Sequence, residues 1–123
     1  MRMTKQRLST WFLVVSAILV LFGLTYVFFG LRILPVDRAV LLPWESALYG
    51  AIMTGWGATL LMAGRIAFRR NDAELKRALL IGLLVWLVFE AAASLYFGVW
   101  FNVGVDVGVA ALFAIPLVLS KKG

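Results

Sequence analysis

The chain has 123 residues, is 63% hydrophobic, and carries a formal net charge of +6 with a mean hydropathy of +0.98. A water-soluble domain of this length cannot cover so much apolar surface, so the composition implies a single unit embedded in a membrane. Cysteine and histidine are both absent, which excludes disulfides, thiolate chemistry, iron–sulfur clusters, zinc held by sulfur or imidazole, and a histidine base.

The first basic cluster, Arg2, Lys5 and Arg7, precedes an uncharged run from Trp11 to Leu31. A helix needs about 20 mostly apolar residues to cross ~30 Å of hydrocarbon, so residues 11–31 read as the first span. The arrangement mimics a signal peptide. The run is longer than the usual ~7–15 residues and no small-x-small site follows it, so it reads as a retained signal anchor.

The connection Arg32–Pro43 is too apolar for an ordinary loop. Pro35 and Asp37 fit the start of a helical turn lying in the outer interface; an extended crossover is the alternative. Span 2 is expected over about residues 44–66. Pro43 takes its first helical position, Glu45 its first turn, and Trp44 anchors it at the interface. Its recurring small residues, among them Gly50, Gly57 and Gly64, make it the expected central helix, because close backbone approach drives association in lipid.

A short basic connection follows. Asn71, with Glu74 three residues on, resembles a capping box, and Asp72 can pair with Lys76 at i,i+4. Span 3 is expected over about 76–98 and span 4 over about 103–120, each containing one acid, Glu90 and Asp106. The short connections make spans 2 and 3, and spans 3 and 4, antiparallel neighbours. Gly104 and Gly108 form a GxxxG spacing, and Pro116 kinks or ends span 4.

Lys and Arg divide unequally among these segments. Ten lie in the N-terminal tail, the span 2–3 connection and the C-terminal tail; only Arg32 and Arg38 lie on the other side. The bias places both termini in the cytoplasm, in a bacterial or archaeal cytoplasmic membrane. It also argues against dual-topology fluoride channels, whose charge is near balance. Small multidrug transporters place their key Glu in span 1, which here has no acid. The stretch Phe22–Pro35 (FGLTYVFFGLRILP) resembles the first span of DoxX-like membrane proteins, a likeness of Gly and Leu pattern that implies no function.

Glu90 is the leading candidate site residue. It lies about 18 Å along its helix from Ala78, just past mid-membrane toward the outer side. An acid near the bilayer centre costs roughly 2.5–3.5 kcal/mol on insertion scales, so Glu90 should point between helices. Asp106 enters from the opposite chain direction and should lie shallower. Asn102, Tyr49, Tyr26 and Ser94 fall at comparable depth, and Arg32 and Arg38 could reach the mouth of such a cluster. Trp86 and Trp56 lie at mid-depth, as packing residues or as aromatic walls for a ligand.

Three roles fit the acids: specifying helix packing, holding a ligand or ion, and acid–base catalysis. A carboxylate out of water can exchange a proton for a cation or bind an amine. No nucleophile–base pair, metal-ligand cluster or phosphate-binding loop supports catalysis, so the reading leans away from an enzyme. The expected fold is an all-α membrane protein, an antiparallel four-helix transmembrane bundle with a short interfacial turn between helices 1 and 2. The expected function is binding or transport of a lipophilic or cationic small molecule, or a proton, in an outer-facing cavity around Glu90. A non-catalytic accessory or assembly subunit is the alternative, with a lipid-modifying enzyme behind it. No cofactor or metal is expected. The expected partners are the lipid bilayer and either a second copy or another membrane protein, with no nucleic acid.

Overall fold

A computed structural model of the chain describes residues 4–30 and 35–120. It is all-helical: α1 (Lys5–Phe29), α2 (Arg38–Arg69), α3 (Ala73–Tyr96) and α4 (Trp100–Leu119). By length and composition α2, α3 and α4 are able to cross a membrane, and α1 contributes the apolar stretch Ala17–Phe29. The chain divides between Arg38 and Ala39 into two units. One contains α1 and the other contains α2 from Ala39 onward with α3 and α4.

α1 starts earlier than its apolar run implies. Thr4 caps it, its Oγ1 accepting from the Arg7 N–H at 3.3 Å. The helix stops at Phe29 because Gly30 takes a left-handed φ of 68°, its N–H donating to the Tyr26 carbonyl at 2.9 Å. Arg2, Arg32, Lys121 and Lys122 lie outside the described residues, as do the first three residues of the expected interfacial turn.

Of the rest of that expected turn, residues 35–37 are not helical and residues 38–43 are, but as the start of α2 and not as a separate element. α2 begins at Arg38 and runs without a break through Pro43. Asp37 directly precedes it, where a carboxylate favours the exposed N–H groups of a first turn. Pro43 is therefore the sixth helical residue, not the first, and Glu45 falls beyond the first turn. A proline so near the helix start removes one ladder hydrogen bond, and the chain tolerates it. Pro116 likewise sits inside α4, which continues to Leu119.

Both tight connections use one device. At the α2 C-terminus Asn71 adopts a φ of 47°. Its N–H reaches the Phe68 carbonyl at 3.3 Å, and the Asp72 N–H reaches the Ala67 carbonyl at 2.9 Å. This is a Schellman ending, and Asn tolerates the left-handed position it needs. Asn71 thus ends α2, and it is Asp72 that caps α3, accepting from the Leu75 N–H at 3.0 Å. At the end of α3, Gly98 has a φ of 74°. The Gly98 N–H bonds the Leu95 carbonyl at 3.1 Å and the Val99 N–H bonds the Ser94 carbonyl at 2.8 Å. One residue then suffices to start α4.

Within the α2–α4 unit α3 makes the extensive packing. It packs along α4 and meets α2 through Trp56 and Trp86, whose ring centroids are 5.1 Å apart. A Cβ placed at Gly50, Gly57, Gly64, Gly104 or Gly108 would meet nothing within 4 Å. These glycines of α2 and α4 therefore mediate no close approach within this unit. Its apolar core is Ala67, Leu83, Ala110 and Leu117, with Lys76, Ser94 and Asp106 buried beside them.

Lys76 closes one end of this unit. Only 2% of it is exposed. Its Nζ donates to Asn71 Oδ1 at 2.7 Å and to the Ser120 carbonyl at 3.5 Å. It also lies 5.1 Å from the Phe68 ring centroid, a cation–π distance. The ammonium so ties the α2–α3 turn to the end of α4, rather than pairing with Asp72 as the i,i+4 spacing implies. Beside it the three helices enclose an apolar cleft of about 70 Å³, lined by Leu60, Gly64 and Phe68 of α2, Leu79 and Leu83 of α3, and Phe113 of α4 among others.

Replacing Gly98 by Ala places a Cβ in the left-handed region and is expected to destabilise the protein by about 1–2 kcal/mol. Gly104→Ala, at a helical position with open space, is expected to be neutral or stabilising by up to about 1 kcal/mol. Thermal unfolding in detergent, run on both variants, checks the contrast.

Candidate functional site

Folding α3 against α4 about Gly98 brings together residues equally far from it. Ser94 and Asn102 stand one turn to either side, and Glu90 and Asp106 two turns. The contacts follow this pairing. Asn102 Nδ2 donates to Ser94 Oγ at 2.9 Å and reaches Asp106 Oδ2 at 3.4 Å. The Glu90 carboxyl lies against that of Asp106, close enough for charge and hydrogen-bond interaction. From α2, Tyr49 Oη donates to Glu90 Oε1 at 2.5 Å. Three helices therefore converge on two carboxyl groups.

The two acids are equally far from the turn, yet their burial differs. Asp106 is 2% exposed and Glu90 is half-buried. The acid nearer its helix start is the more enclosed, because it sits on the tightly packed α3–α4 interface. Glu90 sits between that interface and the looser α2 side, so it is the carboxyl a small ion reaches first.

Trp56 and Trp86 form the next layer of the α2–α3 seam. Trp86 is one turn before Glu90, and Trp56 is two turns after Tyr49, as expected for helices running in opposite directions. Their rings are tilted at 42° and pack on each other, a contact worth ~0.5–1.5 kcal/mol beyond area burial. Seven of the eight candidate residues, Glu90, Asp106, Asn102, Ser94, Tyr49, Trp86 and Trp56, thus occupy one stretch of the α2–α4 unit. Tyr26 belongs to α1 in the other unit, 41% exposed. Arg38 is eleven residues before Tyr49, about 16 Å along α2, and so stands a long way from the carboxyls.

The chemistry available is narrow. Tyr49 supplies one hydroxyl proton and Asn102 one amide donor, against two carboxyl groups. Among the described residues no three acidic side chains converge. Lys76, the buried cation of this unit, is fourteen residues from Glu90, about 21 Å along α3. Like charges placed this close favour taking up one positive charge between them, as a proton or as a small cation. The apolar cleft of this unit lies near the Lys76 end.

The cleft was not among the features that sequence pattern singles out, and Lys76 was singled out only as a partner for Asp72. The signal for them is the same symmetry about Gly98: Lys76 and Ser120 are equally distant from it, as are Leu79 and Leu117, and Leu83 and Phe113.

No protein-family model matches the chain, and no curated protein or solved structure proves similar to it. The DoxX-like resemblance of residues 22–35 therefore finds no support.

The strength of the Tyr49–Glu90 bond is measurable. In a double-mutant cycle of Tyr49→Phe and Glu90→Gln, the two changes should couple by about 1 kcal/mol. A parallel cycle of Trp11→Phe with Glu90→Gln should show no coupling. Denaturation in mixed micelles reads both.

Proposed function

We propose that this chain is an integral membrane protein that binds, and in doing so carries, a proton or a small monovalent cation at the Glu90–Asp106 pair. In this reading the four helices form an antiparallel transmembrane bundle with both ends in the cytoplasm. The uneven distribution of Lys and Arg supports that orientation. The observation that carries the functional reading is the placement of two adjacent carboxyls, one held by Tyr49, on three helices apolar enough to span hydrocarbon.

Ionisable side chains inside spans are expensive and mark ion pathways or proton relays. A purely structural polar contact between α3 and α4 is already supplied by Asn102 and Ser94. The second carboxyl adds unfavourable charge to that contact unless a positive charge is held there. Tyr49 then acts on the pair through its hydroxyl proton, which orients Glu90 and follows its charge state. The nearby tryptophans pack on each other, which accounts for them without a lipophilic ligand.

A second reading, an assembly subunit, draws on the open glycine faces of α2 and α4. Small residues with no neighbour in their own chain suit close approach by another helix, from a second copy or a different membrane protein.

Reconstitution into liposomes loaded with a pH-sensitive dye tests the first reading. Wild-type protein is expected to give saturable proton or Na⁺-coupled flux, and Glu90→Gln to lower it at least ~100-fold, the scale of losing an essential proton carrier. Tyr49→Phe should retain part of the flux. Wild-type protein that conducts neither ion under an imposed gradient sinks the proposal.

A further inference from the structure

The opposite end of the α2–α4 unit has a different chemistry. Its cleft is bounded by Leu60, Gly64 and Phe68, with Leu83 and Phe113 opposite. Directly after two of these lining residues in sequence come Arg65 and Arg69, both exposed. They are four apart, so they share one face of α2, turned by about 100° from the cleft wall. An apolar slot thus runs beside a pair of guanidinium groups at the end of the helix that also precedes Arg70.

Gly64 lines this slot. A glycine inside a helix costs roughly 0.5–1 kcal/mol relative to alanine. Close packing is the usual reason for it, yet a Cβ here would meet nothing within 4 Å. A side chain at this position would instead project into open space. Lys76 contributes no charge to an external ligand, since it is buried and engaged with Asn71, Ser120 and Phe68. The exposed arginines are the ones available.

We propose that this end binds an anionic phospholipid, one acyl chain seated in the cleft over Gly64 and the phosphate on Arg65 and Arg69. The proposal uses the membrane placement proposed above, but not the carboxyl site. Charge complementarity selects the occupant. The apolar slot alone would accept any lipid, whereas the paired guanidinium groups bind phosphate through forked N–H donors and favour a head group with net negative charge. Basic surfaces beside spans on the cytoplasmic side are where such head groups concentrate.

The test uses full-length protein in detergent, given equal amounts of phosphatidylglycerol and phosphatidylcholine with identical acyl chains. Native mass spectrometry then reads the bound lipid. Wild type should retain the anionic lipid roughly tenfold over the zwitterionic one, as expected for two arginines near the phosphate. Arg65→Gln combined with Arg69→Gln should bring the ratio to near parity. Gly64→Leu, which fills open space, should lose both adducts while its thermal unfolding stays at or above wild type. Glu90→Gln should leave the lipid ratio unchanged, so a failure of the ion-carrying proposal does not touch this one. Equal retention of the two lipids by wild type overturns the proposal, and so does unaltered preference in the arginine variant. If Gly64→Leu does not fold, the two surface arginines still decide.

Discussion

The position of Gly98 is the constraint on which the rest of this molecule depends. Two helices of equal rise, folded back through so short a connection, must pair residues equidistant from the turn. Around Gly98 that rule joins Ser94 to Asn102, Glu90 to Asp106, and, at the far end, Lys76 to Ser120. A shift of one residue would rotate one side of each pair by about 100° and break all of them together. The site is thus set by a backbone conformation two turns away from it. Only glycine adopts the φ of 74° there without strain.

Charge balance separates the two ends. At the Lys76 end every feature has its counterpart: an ammonium against an amide oxygen, a terminal carbonyl and an aromatic face. At the carboxyl end the balance is uneven. Asn102 meets Ser94 and Asp106, and Tyr49 meets Glu90, but two groups of like charge then stand side by side, and among the described residues no basic side chain partners them. A helix pair selected for packing alone would place a second amide or a hydroxyl at position 106. The proposed exchange of a positive partner would account for an acid retained where desolvation is costly.

The existence and order of the elements could be read from hydropathy alone, because ~20-residue apolar runs have few alternatives in lipid. The convergence of Glu90, Asp106, Asn102, Ser94 and Tyr49 was also legible, since a short connection fixes which turns meet. Helix boundaries were less so. Pro43 looks like a first helical residue, but Asp37 offers an earlier start and the helix takes it. Asn71 and Asp72 are both capping residues. Which one caps depends on backbone φ, a property that composition does not carry. The small residues of α2 misled for a related reason. A glycine signals space, and whether that space is filled by a neighbouring helix or left open is a tertiary fact.

α3 connects two sites of opposite sign, with Lys76 and Glu90 about 21 Å apart on it and Leu83 fully buried between them. The spacing of these three residues is heptad-like, so they lie along one stripe that faces α4 throughout. A continuous helix whose middle is locked by a close-packed leucine has no second arrangement to adopt, and sites this far apart with no shared partner behave additively. α2 also reaches both ends, through Tyr49 at one and through Phe68 over Lys76 at the other, so the two ends share that helix as well as α3.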